Sequence, residues 1–216
     1  MIKIENISTF GWEEAIRGMR NPMNSWDRSD TAFWSWPSIE GGVAHQIGSN
    51  DMNLMTKLRD AGTDHRKFMR MIVVYMDITA PLYWWKEFDT YKIGTVSNSC
   101  STMHKITDKE FTIDDFSHEH LTERSLLVLD VLIRALNDYL DLYLEKPTKE
   151  AWWQIIQLLP SSYNQKRTIM MNYEVCANIY NSRKKHKLDE WKEFCDWVSI
   201  LPYSNLIIDQ EKGDTK

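Results

Sequence analysis

The spacing of apolar residues predicts that much of the chain is helical. The longest pattern covers 121–144, where one stripe at helical spacing consists of Leu129, Leu132, Ile133, Leu136 and Leu140. A proline at position 147 ends this pattern, and Thr148 is suited to cap a further helix over 149–159. Other amphipathic stretches predict helices over 12–20, from 49 or 50 to 61, from 172 to about 182, and over 187–200.

Shorter apolar runs, over 1–7, 69–79 and 167–171, predict a few separated strands. Pro81 follows the second run and suits the first turn of a helix, where a missing N–H costs nothing. We expect Ser8 or Thr9 to cap the first helix, and Ser49 or Asn50 to cap the helix that follows them. Residues 21–50 are expected to form an ordered excursion, and 97–102 a polar loop. This order indicates an α+β fold, with a single domain and a helical lobe over 1–208 and a polar tail over 209–216.

Composition narrows the classes of protein to consider. The chain has 216 residues, 43% of them hydrophobic, so it can bury a substantial core. Ten tryptophans and eleven methionines favour either a bulky core or extensive subunit contacts. A net charge of −5 disfavours sequence-independent binding of nucleic acid. The sequence has no signal peptide and no apolar run long enough to span a bilayer, so we expect a cytoplasmic protein without a membrane partner.

Polar side chains cluster where helices are predicted to begin and end. Asn172 and Asn178 lie at the start and in the middle of one predicted helix, and Arg183 lies near its C-terminus. The loop over 97–102 is dense in hydroxyl and amide groups. Because free backbone N–H groups point outward at helix N-termini, such places can hold a phosphorylated ligand. Simpler interpretations remain open: Asn172 as a helix cap, Arg183 as a complement to the helix dipole, and the loop as ordinary turn chemistry.

Other chemistries have weaker support. His118 and His120 lack a suitably spaced third ligand, so no metal site is predicted. The three cysteines are widely spaced and form neither a disulfide framework nor a metal pair. Cys100 has only His104 as a nearby candidate base, which makes a thiol nucleophile a minor hypothesis. The sequence contains no phosphate-cradling glycine-rich loop.

Two segments carry a more specific pattern. The first contains Ile78-Thr79-Ala80-Pro81, Glu87, Thr90-Tyr91-Lys92, Asn98 and Ser101-Thr102-Met103-His104. The second contains Leu159-Pro160, Tyr163, Asn172, Asn178, Arg183 and His186. Together with His65, these spacings resemble those of the flavin-dependent thymidylate synthases, or thymidylate synthase complementing proteins. The resemblance covers most of 52–200 and implies a small, mostly antiparallel sheet flanked by helices.

The sequence also departs from the family's pattern. Thr90-Tyr91-Lys92 stands at the interval where the family has an Arg-His-Arg triplet, Met103 replaces an arginine, and Glu174 stands where another arginine is expected. Each arginine is a charge-assisted donor suited to phosphate. We therefore expect FAD to be retained weakly or not at all, because its pyrophosphate loses several of these donors.

The resemblance implies a role for each matching position, although no catalytic residue can be assigned. Residues that would face the flavin are His65, Lys92, Asn98, Asn172, Asn178 and His186. Residues that would face the nucleotide are Glu87, Ser101, Thr102 and Arg183. The implied reaction methylates deoxyuridine monophosphate with methylenetetrahydrofolate and reduced FAD, in a homotetramer. Two alternatives remain: a divergent, non-catalytic nucleotide-binding or structural oligomer, and an enzyme of this fold acting on a different nucleotide or one-carbon unit.

Overall fold

A computed structural model describes residues 1–35 and 43–208, with the side chains of positions 35 and 43 left aside. The strands in chain order are β1 (Lys3–Phe10), β2 (Ala32–Ser35), β3 (Val43–Gln46), β4 (Val73–Pro81), β5 (Thr95–Ser99) and β6 (Asn164–Asn172). The helices are α1 (Trp12–Arg20), α2 (Ser49–Asp60), α3 (Leu82–Phe88), α4 (Thr102–Lys105), α5 (Glu123–Glu145), α6 (Lys149–Leu158), α7 (Tyr173–Arg183) and α8 (Asp189–Ser199).

The main sheet has four strands in the order β1-β4-β6-β5, and every neighbouring pair is antiparallel. A separate hairpin pairs β2 with β3 within the expected excursion, of which residues 36–42 lie outside the described part. The α+β prediction with a small antiparallel sheet is therefore confirmed.

The central strand β4 explains how the sheet is covered. Val74, Met76, Ile78 and Ala80 alternate along it and are at most 1% exposed, while Tyr75 between them is 42% exposed. Because successive side chains of a strand point to opposite faces, one face of the sheet is buried against the helices and the other is more open. Trp84 and Trp85 of α3 and Trp191 of α8 belong to the same hydrophobic cluster as the buried face.

A second hydrophobic cluster forms around α5 and α6. It includes the predicted stripe members Leu129, Ile133, Leu136 and Leu140, with Leu132 packed at its edge. Ile155 of α6 is fully buried against them. The expected organisation as one domain with a helical lobe stays a prediction. The domain boundary at 208 stays a prediction, because residues 209–216 lie outside the described part of the chain.

Two helix starts agree with the sequence signals. The Thr148 hydroxyl accepts from the Ala151 N–H at 3.2 Å and caps α6, and the Asn172 side chain accepts from the Val175 N–H at 3.0 Å and caps α7. These caps form because a short polar side chain reaches a free N–H within three residues of its own position.

Four local predictions were wrong, and two of them concern helix caps. Ser8 and Thr9 belong to β1, and Gly11 precedes α1 at φ +88°. The N-terminus of α2 is capped by Asp30, whose carboxylate accepts from the N–H groups of Asn50 at 2.9 Å and Asp51 at 3.1 Å.

The other two errors concern strand ends. Pro81 is the last residue of β4 and the N-cap of α3 rather than its first turn. Residues 97–99 belong to β5, so the expected polar loop begins only at Cys100. At both places β6 offers a pairing partner: Pro81 pairs with Asn164, and Ser99 pairs with Arg167.

Candidate functional site

Three of the predicted site residues lie at the start, in the middle and at the end of helix α7. It begins directly after β6, with Asn172 as its cap, and Arg183 is its last residue. Asn178 lies midway and is exposed. The opposite side of the helix is buried through Tyr173, Cys176 and Ile179, which are fully buried in the main core and hold the helix against the sheet.

Arg183 meets Glu87 of α3. The Arg183 Nη1 donates to Glu87 Oε2 at 2.7 Å, and its Nε donates to the Tyr91 hydroxyl at 2.9 Å. The guanidinium lies 4.7 Å from the ring centroid of Trp191, whose Nε1 also donates to Glu87 Oε2 at 3.0 Å. Glu87 and Arg183, both predicted to face the nucleotide, are therefore brought together from positions 96 residues apart.

His186 joins this group from the turn that follows α7. Its backbone N–H donates to the Arg183 carbonyl at 2.8 Å, and its Nε2 lies 3.5 Å from Glu87 Oε2. Its Nδ1 accepts from the Leu188 N–H at 3.2 Å, which leaves the Nε2 side directed towards the carboxylate. The structure thus places His186, predicted for the flavin, beside the residues predicted for the nucleotide.

A second group surrounds Glu174 in the first turn of α7. Arg66 Nε donates to Glu174 Oε1 at 3.0 Å, and Arg66 Nη2 donates to Asn178 Oδ1 at 3.3 Å. Arg70 Nε donates to Glu174 Oε2, and Arg70 Nη2 to Glu174 Oε1 at 3.3 Å. His65 immediately precedes this 3-10 turn (Arg66–Arg70) and is exposed. We call these three charged residues the Arg66–Glu174–Arg70 cluster.

The charge of Glu174 is therefore compensated within this chain. Burial raises the pKa of Glu174, but hydrogen bonds from Arg70 and Arg66 outweigh it and hold this pKa below its usual value. Sequence reasoning missed both arginines. Their position directly after His65, four residues apart, was the signal that could have revealed them.

The segment that holds Lys92 lies against the start of α7. Lys92 itself is exposed. Gly94 has φ +77°, and a Cβ there would lie 2.7 Å from the Asn172 Nδ2. Glycine is needed at this position both for its left-handed backbone and for the close approach to Asn172.

Asn98, Ser101 and Thr102 lie at the other end of the β5–β6 pair. Asn98 is opposite Thr168 on the edge strand. The Ser101 hydroxyl accepts from the His104 N–H at 3.2 Å and caps the short helix α4, while the Thr102 hydroxyl accepts from Gln165 Nε2 at 3.4 Å. Within residues 1–35 and 43–208, no hydrogen bond or ion pair joins Ser101 or Thr102 to Arg183.

Two further residues of β6 organise this end of the sheet and were missed from sequence. Gln165 donates to the Cys100 carbonyl at 3.0 Å and accepts from Arg167 Nε at 3.0 Å. Arg167 also pairs with Asp89 at 2.7 Å, and its guanidinium lies 4.2 Å from the centroid of Trp85. The contacts of Gln165 and Arg167 follow from the strand register, which puts both residues on the helix-covered face of the sheet.

The two histidines considered for a metal have separate partners. His118 Nδ1 lies 2.8 Å from the Phe116 carbonyl, and His120 Nε2 lies 3.1 Å from Asp189. Among the described residues, no group of three or more potential ligands could hold a metal ion. Over the same residues, the structure contains no helix of the length and apolarity needed to cross a bilayer.

Comparison with known proteins identifies the fold. No protein-family model and no curated protein sequence matches the chain. Two solved structures of the flavin-dependent thymidylate synthase ThyX from Helicobacter pylori, both with FAD and dUMP, match it with TM-scores of 0.69 and 0.70. The alignments cover 96% and 97% of this chain and 98% of each matching chain, at 16% identity. The chain has the fold of this enzyme. At this identity, the likeness concerns the fold and leaves the activity to the residues of the site.

Proposed function

We propose that this protein is a flavin-dependent thymidylate synthase-like enzyme, which methylates deoxyuridine monophosphate (dUMP) with methylenetetrahydrofolate and reduced FAD. The observation that supports this most directly is the contact between Arg183 and Glu87 at 2.7 Å. Both residues were assigned to a nucleotide from spacing in two distant segments, and the fold brings them into one group. The fold match over nearly the whole chain supports the same assignment.

The residues near the first half of α7 fit a ligand that carries phosphates. Arg66 and Arg70 supply guanidinium groups, and Asn178 supplies an exposed amide beside them. Planar guanidinium groups suit phosphate oxygens because they can donate two parallel hydrogen bonds. The flavin would supply the redox chemistry when bound, and His65, Lys92, Asn98 and Asn172 are proposed to complete its surroundings.

Arg183 is the proposed partner of the nucleotide phosphate. Its side chain is 19% exposed, so an anion can approach it from solvent. Glu87 also accepts from Trp191 and lies near His186, so it would keep a donor if Arg183 turned towards a phosphate. Ser101 and Thr102 are proposed to donate hydroxyl groups to the nucleotide.

We further propose a cytoplasmic homotetramer in which subunits share each site. Among the described residues, no hydrogen bond or ion pair joins Ser101 or Thr102 to Arg183, which is compatible with sharing. Leu127, Val128 and Val131 of α5 support assembly, because they are apolar and 65–69% exposed. Light scattering at micromolar concentration is expected to give about four times the 25.6 kDa chain mass. A monomer over that range would contradict the shared site.

A second candidate function is a non-catalytic nucleotide-binding or structural oligomer. The contact of Arg183 with Tyr91 favours it, because Tyr91 lies within the Thr90-Tyr91-Lys92 triplet that lacks the family's basic residues. In this second candidate, Glu87 and Tyr91 would hold Arg183 as a structural element.

Product analysis distinguishes the two candidates. Purified protein would be mixed with FAD, chemically reduced, and supplied with dUMP and methylenetetrahydrofolate, and thymidylate would be measured by mass spectrometry. We expect thymidylate to form in proportion to enzyme. Binding of dUMP without product would favour the non-catalytic candidate, and absence of both FAD and dUMP binding would reject both nucleotide-based proposals.

A further inference from the structure

We propose that the Arg66–Glu174–Arg70 cluster is the part of this protein that binds the phosphate groups of a dinucleotide, with FAD as the ligand class. This inference rests on the proposed function and assigns to that site two residues that the sequence pattern did not identify.

The charge of the cluster is the first reason. Two arginines share one carboxylate, which leaves a net charge of +1. At Arg183 and Arg167, by comparison, one arginine pairs with one carboxylate, Glu87 and Asp89 respectively. The carboxylate of Asp64 also attracts Arg70, but among the described residues it forms no ion pair with it. A structural ion pair needs only one cation for each carboxylate, so the second arginine keeps N–H donors available for an anion.

The hydrogen-bonding capacity of the cluster is the second reason. Both oxygens of Glu174 are occupied, by Arg66 Nε at 3.0 Å, Arg70 Nη2 at 3.3 Å and Arg70 Nε. Within the described residues, no hydrogen bond uses Nη1 of Arg66 or Arg70. Each guanidinium has five N–H donors, so both arginines keep donors that can point to a ligand.

Accessibility is the third reason. The Glu174 side chain is 11% exposed, whereas the side chains of Arg66 and Arg70 are 22% and 44% exposed. The carboxylate is thus covered and the cations face outward. Exposed Asn178 lies next to them, bonded to Arg66 at 3.3 Å. A phosphate group arriving here meets two guanidinium groups and an amide, with the carboxylate behind them.

The test measures binding of FAD and of riboflavin, which lacks phosphates, by flavin fluorescence. We expect Arg66→Ala and Arg70→Ala to weaken FAD binding roughly ten- to hundredfold, as for loss of a charge-assisted hydrogen bond, and to leave riboflavin binding unchanged. Lys67→Ala is the matched control, because Lys67 is an exposed cation of the same turn. It is expected to change FAD binding by less than about threefold.

Glu174→Gln provides a variant that keeps both arginines. It raises the net charge of the cluster by one, so FAD binding is expected to stay or become tighter, and thermal melts would confirm that each variant is folded. A loss of FAD binding in Glu174→Gln as large as in Arg70→Ala would show that the cluster only supports the fold, and would overturn the inference.

The remaining outcomes separate this inference from the proposed function. If wild type binds FAD and both alanine variants behave like Lys67→Ala, this inference fails while the proposed function stands. Equal losses for FAD and riboflavin, or a loss for dUMP in place of FAD, would also overturn the assignment to dinucleotide phosphates. If wild type binds neither flavin, the flavin-based function fails together with the inference.

Discussion

Arg183→Ala is expected to weaken binding of dUMP by roughly ten- to hundredfold. The loss corresponds to one charge-assisted hydrogen bond, worth about 1.5–3 kcal/mol. Arg183→Lys should recover only part of the affinity, because an ammonium group cannot reproduce the planar, bidentate geometry of a guanidinium.

The same substitution should also lower stability, because the structure shows Arg183 already engaged. It donates to Glu87 at 2.7 Å and to Tyr91 at 2.9 Å, and it lies 4.7 Å from the centroid of Trp191. Its partner Glu87 is 35% exposed, so water can replace part of what is lost. We expect the free energy of unfolding to fall by about 1–3 kcal/mol, within the range for a charged hydrogen bond that solvent partly compensates.

Calorimetric titration with dUMP and urea unfolding separate the two effects. Lys184→Ala is the control: it removes an exposed cation from the same end of α7, which tests the contribution of the helix dipole together with the contact of Lys184 with the Tyr180 ring at 5.4 Å. Unchanged dUMP affinity in folded Arg183→Ala, together with the expected loss of stability, would show that Arg183 is only structural. If wild type gives no heat with dUMP at millimolar concentration, the nucleotide assignment of Arg183 is refuted.

Three further substitutions test the fold. Asp51→Ala should lower the free energy of unfolding in urea by about 3–5 kcal/mol, because Arg20, only 4% exposed, loses the carboxylate that lies 2.6 Å away. A loss below about 1 kcal/mol would contradict this. Gly11→Ala should lower the free energy of unfolding by about 1–3 kcal/mol or more in the same measurement. The reason is that φ is +88° and a Cβ would lie 2.0 Å from the Met71 carbonyl oxygen. A variant as stable as wild type would refute that reasoning. Asp77 stabilises the fold in its ionised form, because hydrogen bonds led by that from Thr168 lower its pKa to about 2. This contribution should be present above about pH 4 and disappear as the pH falls towards 2, so acid titrations of wild type and Asp77→Asn should converge there, and parallel curves would contradict the assignment.

The sequence alone identified the elements whose signals are local. The stripe on α5, the cap at Thr148 and the cap at Asn172 were predicted correctly, because each depends on residues within one or two helical turns. The spacing of Asn172, Asn178 and Arg183 also indicated a functional helix, and the structure places all three on or at the start of α7.

Only the tertiary structure decided which charges meet. Asp30 caps α2 from 20 residues away, and Glu174 is neutralised by Arg66 and Arg70, over 100 residues earlier. The partners of Arg183 likewise come from another helix. The sequence shows which residues are charged, but which of them form ion pairs depends on strand register and helix packing. For this reason the sequence indicated a site on α7, and the structure alone showed that Glu174 is compensated and that Arg183 is held by Glu87.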